Sequence, residues 1–137
     1  MLGITGWLVL AAMAVDGDSI RQAGVNYRLA CVDAPEWSQP WGRASQEALQ
    51  ELMPAITHLE TTDVDRFGRP VVLAWMGRDL AQRHLVRAGL AYVDLRYQGS
   101  CPTQNLLNAQ KAAQREKLGV WRDPDAIPPW EWRRGRH

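Results

Sequence analysis

The residues best suited to chemistry in this sequence are acidic side chains that follow two predicted strands. Asp16-Gly17-Asp18 comes directly after one apolar segment, and Asp33-Ala34-Pro35-Glu36 ends the next. Gly17 permits a tight turn and Pro35 keeps Ala34 extended, so both motifs hold their carboxylates in defined directions. If the strands are adjacent and antiparallel, four carboxylates converge, which is costly unless a cation such as Ca²⁺ or Mg²⁺ lies among them. Either motif alone is also a common turn sequence.

Two arginines accompany these acids. Arg28 lies five residues before Asp33 on the same predicted strand, and Arg69 closes a predicted turn at residues 65–69, Asp-Arg-Phe-Gly-Arg. A guanidinium beside a carboxylate-bound cation is suited to hold a phosphate group. The simpler alternatives are a structural ion pair for Arg28 and a solvated turn residue for Arg69.

Length, composition and charge limit the possible classes of protein. The 137 residues suit one domain, and 46% hydrophobic with 23% charged residues argue against a mainly disordered chain. A formal net charge of +1 excludes a strongly basic nucleic-acid-binding protein. The charge is uneven, because residues 1–65 carry a net −6 and residues 66–137 a net +7. The acidic half would supply cation ligands, and the arginine-rich half contacts to phosphate.

The longest apolar run, residues 7–15, is too short to cross a bilayer. We expect a buried first strand there and no membrane association. The run lacks the basic flank and the spacer of a signal peptide. A leader removed from the protein would leave no trace, so secreted, periplasmic and cytoplasmic locations all stay open.

Hydrophobic periodicity and turn residues predict the elements that must position these side chains. Strands are expected at residues 7–15, 25–32 and 91–95, a hairpin at 58–64 and 71–75, and helices at 42–53, 80–88 and 104–118. This order favours a small α+β domain, a barrel-like antiparallel sheet with helices on one side and no parallel βαβ units. The prolines should keep the segment after residue 123 extended.

In order and in spacing, these motifs resemble the staphylococcal nuclease (thermonuclease) family. The resemblance rests on residues 15–19, 27–36 and 65–69, and continues through residues 85–91 and 116–121. It implies an OB-fold, a five-stranded antiparallel barrel capped by three helices, over residues 1–122, followed by a tail at residues 123–137. It also implies Ca²⁺-dependent hydrolysis of DNA or RNA that breaks the bond to the 5′ oxygen and leaves 3′-phosphate ends.

The resemblance assigns metal ligands by position. Asp18, Asp33 and the backbone carbonyl of Ala34 would bind Ca²⁺, and Asp16 would lie in the outer shell. The family usually has a threonine where this chain has Ala34, a change that preserves the carbonyl.

The resemblance also assigns the reacting groups. Glu36 would be the general base, and Arg28 and Arg69 would bind the scissile phosphate. We expect Glu36→Gln or Arg28→Ala to leave folding intact and to abolish most cleavage.

Four further residues are candidates for substrate contacts: Tyr97, Arg66, Phe67 and Trp37. Phe67 replaces a family tyrosine, and Leu95 stands where a second pocket tyrosine is usual, so base stacking would be weaker on one side. We expect a monomer that prefers single-stranded DNA or RNA. The alternative is a module of the same fold that binds nucleic acid without cleaving it.

Three other features allow two interpretations each. For Cys31 we expect a buried free thiol, with a Cys31–Cys101 disulfide as the alternative in a secreted protein. Trp37 and Trp41 could line the substrate cleft or pack in the core. The basic end of the tail, residues 130–136, is expected to be packed or floppy rather than bound to nucleic acid.

Overall fold

The strands and helices of the computed structural model follow the apolar segments of the sequence over residues 12–135, the part of the chain that the structure describes. Within that range the strands are β1 Met13–Asp16, β2 Ser19–Gln22, β3 Val25–Leu29, β4 Val32–Asp33, β5 His58–Val64, β6 Pro70–Met76, β7 Asp79–Leu80 and β8 Tyr92–Val93. The α-helices are α1 Gly42–Leu52, α2 Ala81–Arg87, α3 Thr103–Glu116 and α4 Pro129–Trp132. Short 3₁₀ turns follow α1 at Met53–Ala55 and α3 at Gly119–Arg122. Of the first predicted strand, residues 7–11 lie outside the described residues.

Five strands form a continuous path in the order β1-β2-β3-β6-β5, with β7 paired to β6, and β4 pairs separately with β8. The predicted α+β class is confirmed. One pair departs from the antiparallel pattern, because β3 and β6 run parallel, with Arg28 opposite Val71. This parallel pairing is possible because α1 and β5 separate the two strands along the chain, which supplies the long connection that such a pair requires.

The predicted strand at residues 25–32 is interrupted. β3 ends at Leu29, and Cys31 adopts a positive φ of 76° before β4 begins at Val32. A non-glycine residue in this conformation is uncommon and marks a sharp change of chain direction. The turn allows β4 to leave the main sheet and pair with β8, with Asp33 opposite Tyr92.

The expectation of a free thiol at Cys31 is wrong, since Cys31 and Cys101 form a disulfide. Their Cα atoms lie 5.7 Å apart although 70 positions separate them in the sequence. That separation is why the sequence could not reveal the pairing, which depends on where the segment after β8 folds back.

The core lies between the sheet and helices α1, α2 and α3. Its largest fully buried apolar side chains include Ile20, Leu29, Leu49, Leu85 and Leu106. Gln82 on α2 is also fully buried, and its side-chain amide donates to the carbonyls of Ala30 and Val72. It therefore satisfies main-chain groups where β3 ends beside β6, as buried polar groups require.

The tail is not simply extended. Residues 129–132 form the short helix α4, and the ring of Trp130 packs edge-on against Tyr92 with centroids 5.4 Å apart. Gln39 also donates a hydrogen bond to the carbonyl of Ile127. The packed interpretation of the tail therefore holds as far as residue 135, because aromatic burial outweighs the extended preference of the prolines.

Among residues 12–135, every helix is too short or too polar to pass through a lipid bilayer.

Candidate active site

The two acidic motifs meet. The backbone N–H of Ala34 donates to Oδ2 of Asp18 at 2.7 Å, and both Asp18 and Asp33 are buried, at 7% and 1% exposure. β2 and β3 pair antiparallel with Ser19 opposite Arg28, which brings the Asp-Gly-Asp turn beside the chain leaving β3. The two acidic motifs are therefore in contact, although no three of their four carboxylates form a metal-binding group within residues 12–135.

The Asp-Gly-Asp turn requires glycine at its centre. A Cβ atom on Gly17 would lie 2.6 Å from the Cβ of Ser45 and 2.7 Å from the Cβ of Ala34. Oδ1 of Asp16 accepts a hydrogen bond from the backbone N–H of Asp18 at 3.1 Å. The turn is thus pressed against α1 and against the second acidic motif, which fixes Asp16 beside Asp18.

Arg28 joins the two buried acids. Its Nη1 lies 3.3 Å from Asp18 Oδ2, and its Nη2 lies 3.8 Å from Asp33 Oδ1. The same guanidinium donates to the carbonyls of Leu29 at 2.8 Å and Val32 at 2.9 Å. The ion-pair interpretation of Arg28 is therefore realised with two acids, which the guanidinium bridges.

Glu36 stands at the rim of the same cluster. Its backbone N–H donates to Gln39 Oε1 at 3.0 Å, and its carbonyl accepts from the Gln39 N–H at 2.9 Å. These bonds form a tight turn between β4 and α1 that fixes the backbone of Glu36. Its half-buried side chain accepts a hydrogen bond from Arg133 Nη1, with Oε1 2.5 Å away.

Two arginines that the sequence did not single out contact Asp33. Arg133 Nη2 lies 2.7 Å and Arg96 Nη2 3.2 Å from Asp33 Oδ2. Arg96 also pairs with Asp94, its Nε lying 3.0 Å from Oδ1. For Arg96, the only sequence signal was its place just after the predicted last strand; for Arg133 it was the basic character of the tail.

Burial dominates the electrostatics of Asp18. Desolvation raises its pKa to about 6, Arg28 opposes this shift, and the neighbouring Asp16 adds to it. At Arg133 the hydrogen bond to Asp33 raises the pKa of the guanidinium above its ordinary value. Arg133 therefore stays charged, while the charge on Asp18 is held at a cost that a further cation would reduce.

The donor set fits a hard divalent cation. Asp18 and Asp33 are buried carboxylates that share one guanidinium, and the chain at Ala34 contacts Asp18 directly. Residues 12–135 contain no cluster of three or more His, Cys, Asp or Glu side chains arranged for a metal. A cation here would therefore complete its shell with main-chain oxygen and water, which Ca²⁺ readily accepts.

The hairpin turn lies apart from this cluster in its contacts. Arg69 Nε is 2.7 Å from Asp65 Oδ2, and within the described residues Arg69 makes no ion pair with the clustered acids. It comes two residues before Val71, which lies opposite Arg28 across the β3–β6 pair. Arg69 thus lies just before β6, the strand that pairs with the strand of Arg28, and makes no ion pair with the clustered acids within the described residues.

The candidate substrate contacts are exposed. Phe67 is 70% exposed beside Arg66, whose guanidinium lies 4.9 Å from the ring centroid. Tyr97 is 73% exposed and follows Arg96, and Trp37 is 51% exposed and follows Glu36. Trp37 is therefore not a core residue, and Trp37 and Tyr97 flank residues of the acidic cluster.

Comparison with known proteins places the chain in a family. A protein-family model described as a staphylococcal nuclease homologue matches residues 26–123. An uncharacterized endonuclease of Escherichia coli O157:H7 is 36% identical, over 97% of this chain and 94% of that protein. The micrococcal nuclease of Shigella flexneri is 34% identical, over 88% of this chain and 76% of its own length. Protein ParB of Escherichia coli is 31% identical, over 88% and 75%.

These matches extend over most of the chain, and the family model itself begins after the Asp-Gly-Asp turn and covers Arg28, the second acidic motif, the hairpin and helices α1 to α3. They confirm the resemblance inferred from the motifs, and the chain belongs to the staphylococcal nuclease family.

Proposed function

We propose that this protein is a Ca²⁺-dependent nuclease that hydrolyses phosphodiester bonds in DNA, RNA or both. The observation that carries the proposal is the contact between the two acidic motifs, with Asp18 and Asp33 buried around Arg28 and Glu36 at their rim. The names of the relatives, an endonuclease and a micrococcal nuclease, support the same reaction class.

The cation would be held by Asp18, Asp33 and the carbonyl of Ala34, with Asp16 behind them. Ca²⁺, when bound there, supplies positive charge that polarises a phosphoryl oxygen. Asp16 holds the turn through the hydrogen bond that it accepts from the Asp18 N–H, and the Ala34 N–H orients the Asp18 carboxylate, so that both are positioned without the cation.

Glu36 is the general base. Its carboxylate takes a proton from the attacking water, whose oxygen forms a bond to phosphorus. Arg28 and Arg69 bind the phosphate oxygens and stabilise their negative charge as the bond from phosphorus to the 5′ oxygen breaks. The product would carry a 3′-phosphate end.

The substrate is a single strand, and the protein acts as a monomer. A single-stranded backbone can bend toward recessed carboxylates, and exposed aromatic rings can stack on its unpaired bases. Tyr97 and Trp37, with the pair Arg66 and Phe67 on the hairpin turn, are exposed for such contacts. Arg66 would add a contact to the nucleic-acid backbone.

The test is cleavage of labelled single-stranded DNA and RNA with Ca²⁺ or with excess chelator. We expect Glu36→Gln to reduce the rate by about 10²–10³, because one preorganised charged group is removed. Glu47→Gln, an exposed change on α1, is the matched control and should cleave like the wild type.

Equal rates for Glu36→Gln and the wild type would reject Glu36 as the base. Tight binding of both nucleic acids without cleavage would favour a binding module that lacks catalysis. Neither binding nor cleavage would indicate a structural or protein-interaction domain.

A further inference from the structure

The guanidinium of Arg133 lies over the acids that the proposed function needs. Its Nη2 is 2.7 Å from Asp33 Oδ2, and its Nη1 is 3.2 Å from Asp33 Oδ1 and 2.5 Å from Glu36 Oε1. One side chain from the end of the chain therefore bridges a proposed metal ligand and the proposed general base.

The hydrogen-bonding capacity of Asp33 is largely used. A carboxylate oxygen has two acceptor positions. Oδ2 accepts from both Arg133 and Arg96, while Oδ1 accepts from Arg133 and lies 3.8 Å from Arg28. A divalent cation bound at about 2.3–2.6 Å from the same carboxylate would need one of these positions and would be repelled by the guanidinium.

Of the three arginines that contact Asp33, Arg133 is the one whose side chain can move away from the acids. Arg28 is bound to two main-chain carbonyls, and Arg96 pairs with Asp94 as well as with Asp33. Within residues 12–135 the ion pairs of Arg133 are those with Asp33 and Glu36, and its side chain is 42% exposed. Its withdrawal would leave Asp33 paired with Arg28 and Arg96.

The tail that carries Arg133 is attached beside the site. Trp130 packs against Tyr92, and Tyr92 lies directly opposite Asp33 in the β4–β8 pair. Arg133 follows α4 by one position, and its N–H donates to the Pro129 carbonyl at 3.0 Å. The anchor therefore keeps the guanidinium close to Asp33 while the exposed side chain can turn outward.

We propose that Arg133 is an internal counter-cation that competes with the divalent cation for Asp33 and Glu36. Resting on the proposed function, this makes the tail an autoinhibitory element: at low cation concentration Arg133 occupies the acids, and cation binding requires its withdrawal. The threshold cation concentration for activity is then set by the Arg133 ion pairs.

The test measures Ca²⁺ binding directly, by calorimetry on the full-length protein without nucleic acid. We expect Arg133→Gln to lower the dissociation constant for Ca²⁺ about tenfold, the effect of one charge-assisted hydrogen bond. Arg134→Gln is the matched control, since the adjacent Arg134 is more exposed and, among the ion pairs within residues 12–135, pairs with Glu131 at 3.7 Å and not with the acidic cluster. It should bind Ca²⁺ like the wild type.

A second variant, Trp130→Ala, loosens the anchor while keeping the arginine. It should also tighten Ca²⁺ binding, with circular dichroism confirming that both variants are folded. Unchanged or weaker binding by Arg133→Gln, equal tightening by Arg134→Gln, or no Ca²⁺ binding by any of the proteins would overturn the proposal. Cleavage by the wild type at saturating Ca²⁺ decides the proposed function separately, because a protein can bind Ca²⁺ more tightly without Arg133 and still not cleave.

Discussion

At the scale of single residues, Asp33 is the point where the charges of this chain meet. It is 1% exposed, and Arg28, Arg96 and Arg133 all reach it, from three different parts of the sequence. A buried carboxylate is stable only when it is paired and hydrogen-bonded. The three arginines therefore have a structural task, and Arg28 has the proposed catalytic task as well.

This double task changes the expectation for Arg28→Ala, which from the sequence alone should leave folding intact. The substitution would remove a donor from two main-chain carbonyls and the shared guanidinium from two buried carboxylates, so we expect the free energy of unfolding to fall by about 1–3 kcal/mol. Denaturant unfolding measures this. Arg69→Ala is the comparison, because Arg69 pairs with Asp65 in the hairpin turn and should cost less than about 1 kcal/mol. Equal losses for both would show that Arg28 is not structural.

At the scale of elements, the start of α2 shows how local polar contacts hold a short helix. Asp79, just before α2, accepts from Arg83 at 2.7 and 2.5 Å and contacts His84 at 2.8 Å. The acid lies near the helix N-terminus, where negative charge is favourable. The three residues link β7 to the first turns of α2 by polar contacts, beside the core contacts of Leu80 and Ala81.

These contacts make the stability of the folded protein depend on pH through the ionisation of Asp79. The hydrogen bonds from Arg83 lower its pKa well below the ordinary value of 3.8, with help from the Leu80 N–H and His84. Because the pKa of Asp79 is lowered in the folded state, its ionised form stabilises that state at pH values above 3.8. This contribution is lost as the pH falls below that value. Asp79→Asn should thus be less stable by about 0.5–1 kcal/mol at neutral pH, a modest figure for an exposed site.

Thermal unfolding of both proteins between pH 7 and pH 2 measures this difference. The difference in stability between the wild type and Asp79→Asn should narrow below pH 3.8. Glu51→Gln, an exposed change on α1, is the control and should be as stable as the wild type. A gap that is constant over the whole range would contradict the assignment.

At the scale of the whole molecule, the disulfide-linked loop and the tail both contact the acidic cluster. Cys31 lies two residues before Asp33, and Cys101 ends the loop that carries Arg96 and Tyr97. The Cys31 carbonyl also accepts from the Asp94 N–H at 2.9 Å. The bond therefore joins the strand of Asp33 to the loop that supplies one of its arginine partners.

Reduction of this disulfide should lower the free energy of unfolding by about 2–4 kcal/mol, since the cross-link closes a long loop and restricts the unfolded chain. Guanidinium unfolding of oxidised protein, reduced protein and Cys101→Ser tests this. The reduced protein and Cys101→Ser should have the same free energy of unfolding. Intact mass should rise by two hydrogens on reduction, and an unchanged mass would show that the bond is not formed.

Much of the fold and of the site was determined by the sequence alone. The two acidic motifs, the hairpin and three helices follow from short-range patterns, because glycine, proline and hydrophobic periodicity act over a few residues. For the same reason the contact of Asp18 with the chain at Ala34 was predictable, since both motifs follow neighbouring strands.

Only the tertiary structure decided what depends on distant parts of the chain. Three contacts join positions that are many residues apart: the parallel pairing of β3 with β6, the Cys31–Cys101 bond and the contact of Arg133 with Asp33. A local sequence pattern does not specify such partners, because they are selected by how distant segments pack. The sequence determined which acids could do chemistry. Long-range packing, through the disulfide-linked loop and the anchored tail, decided which arginines lie beside those acids.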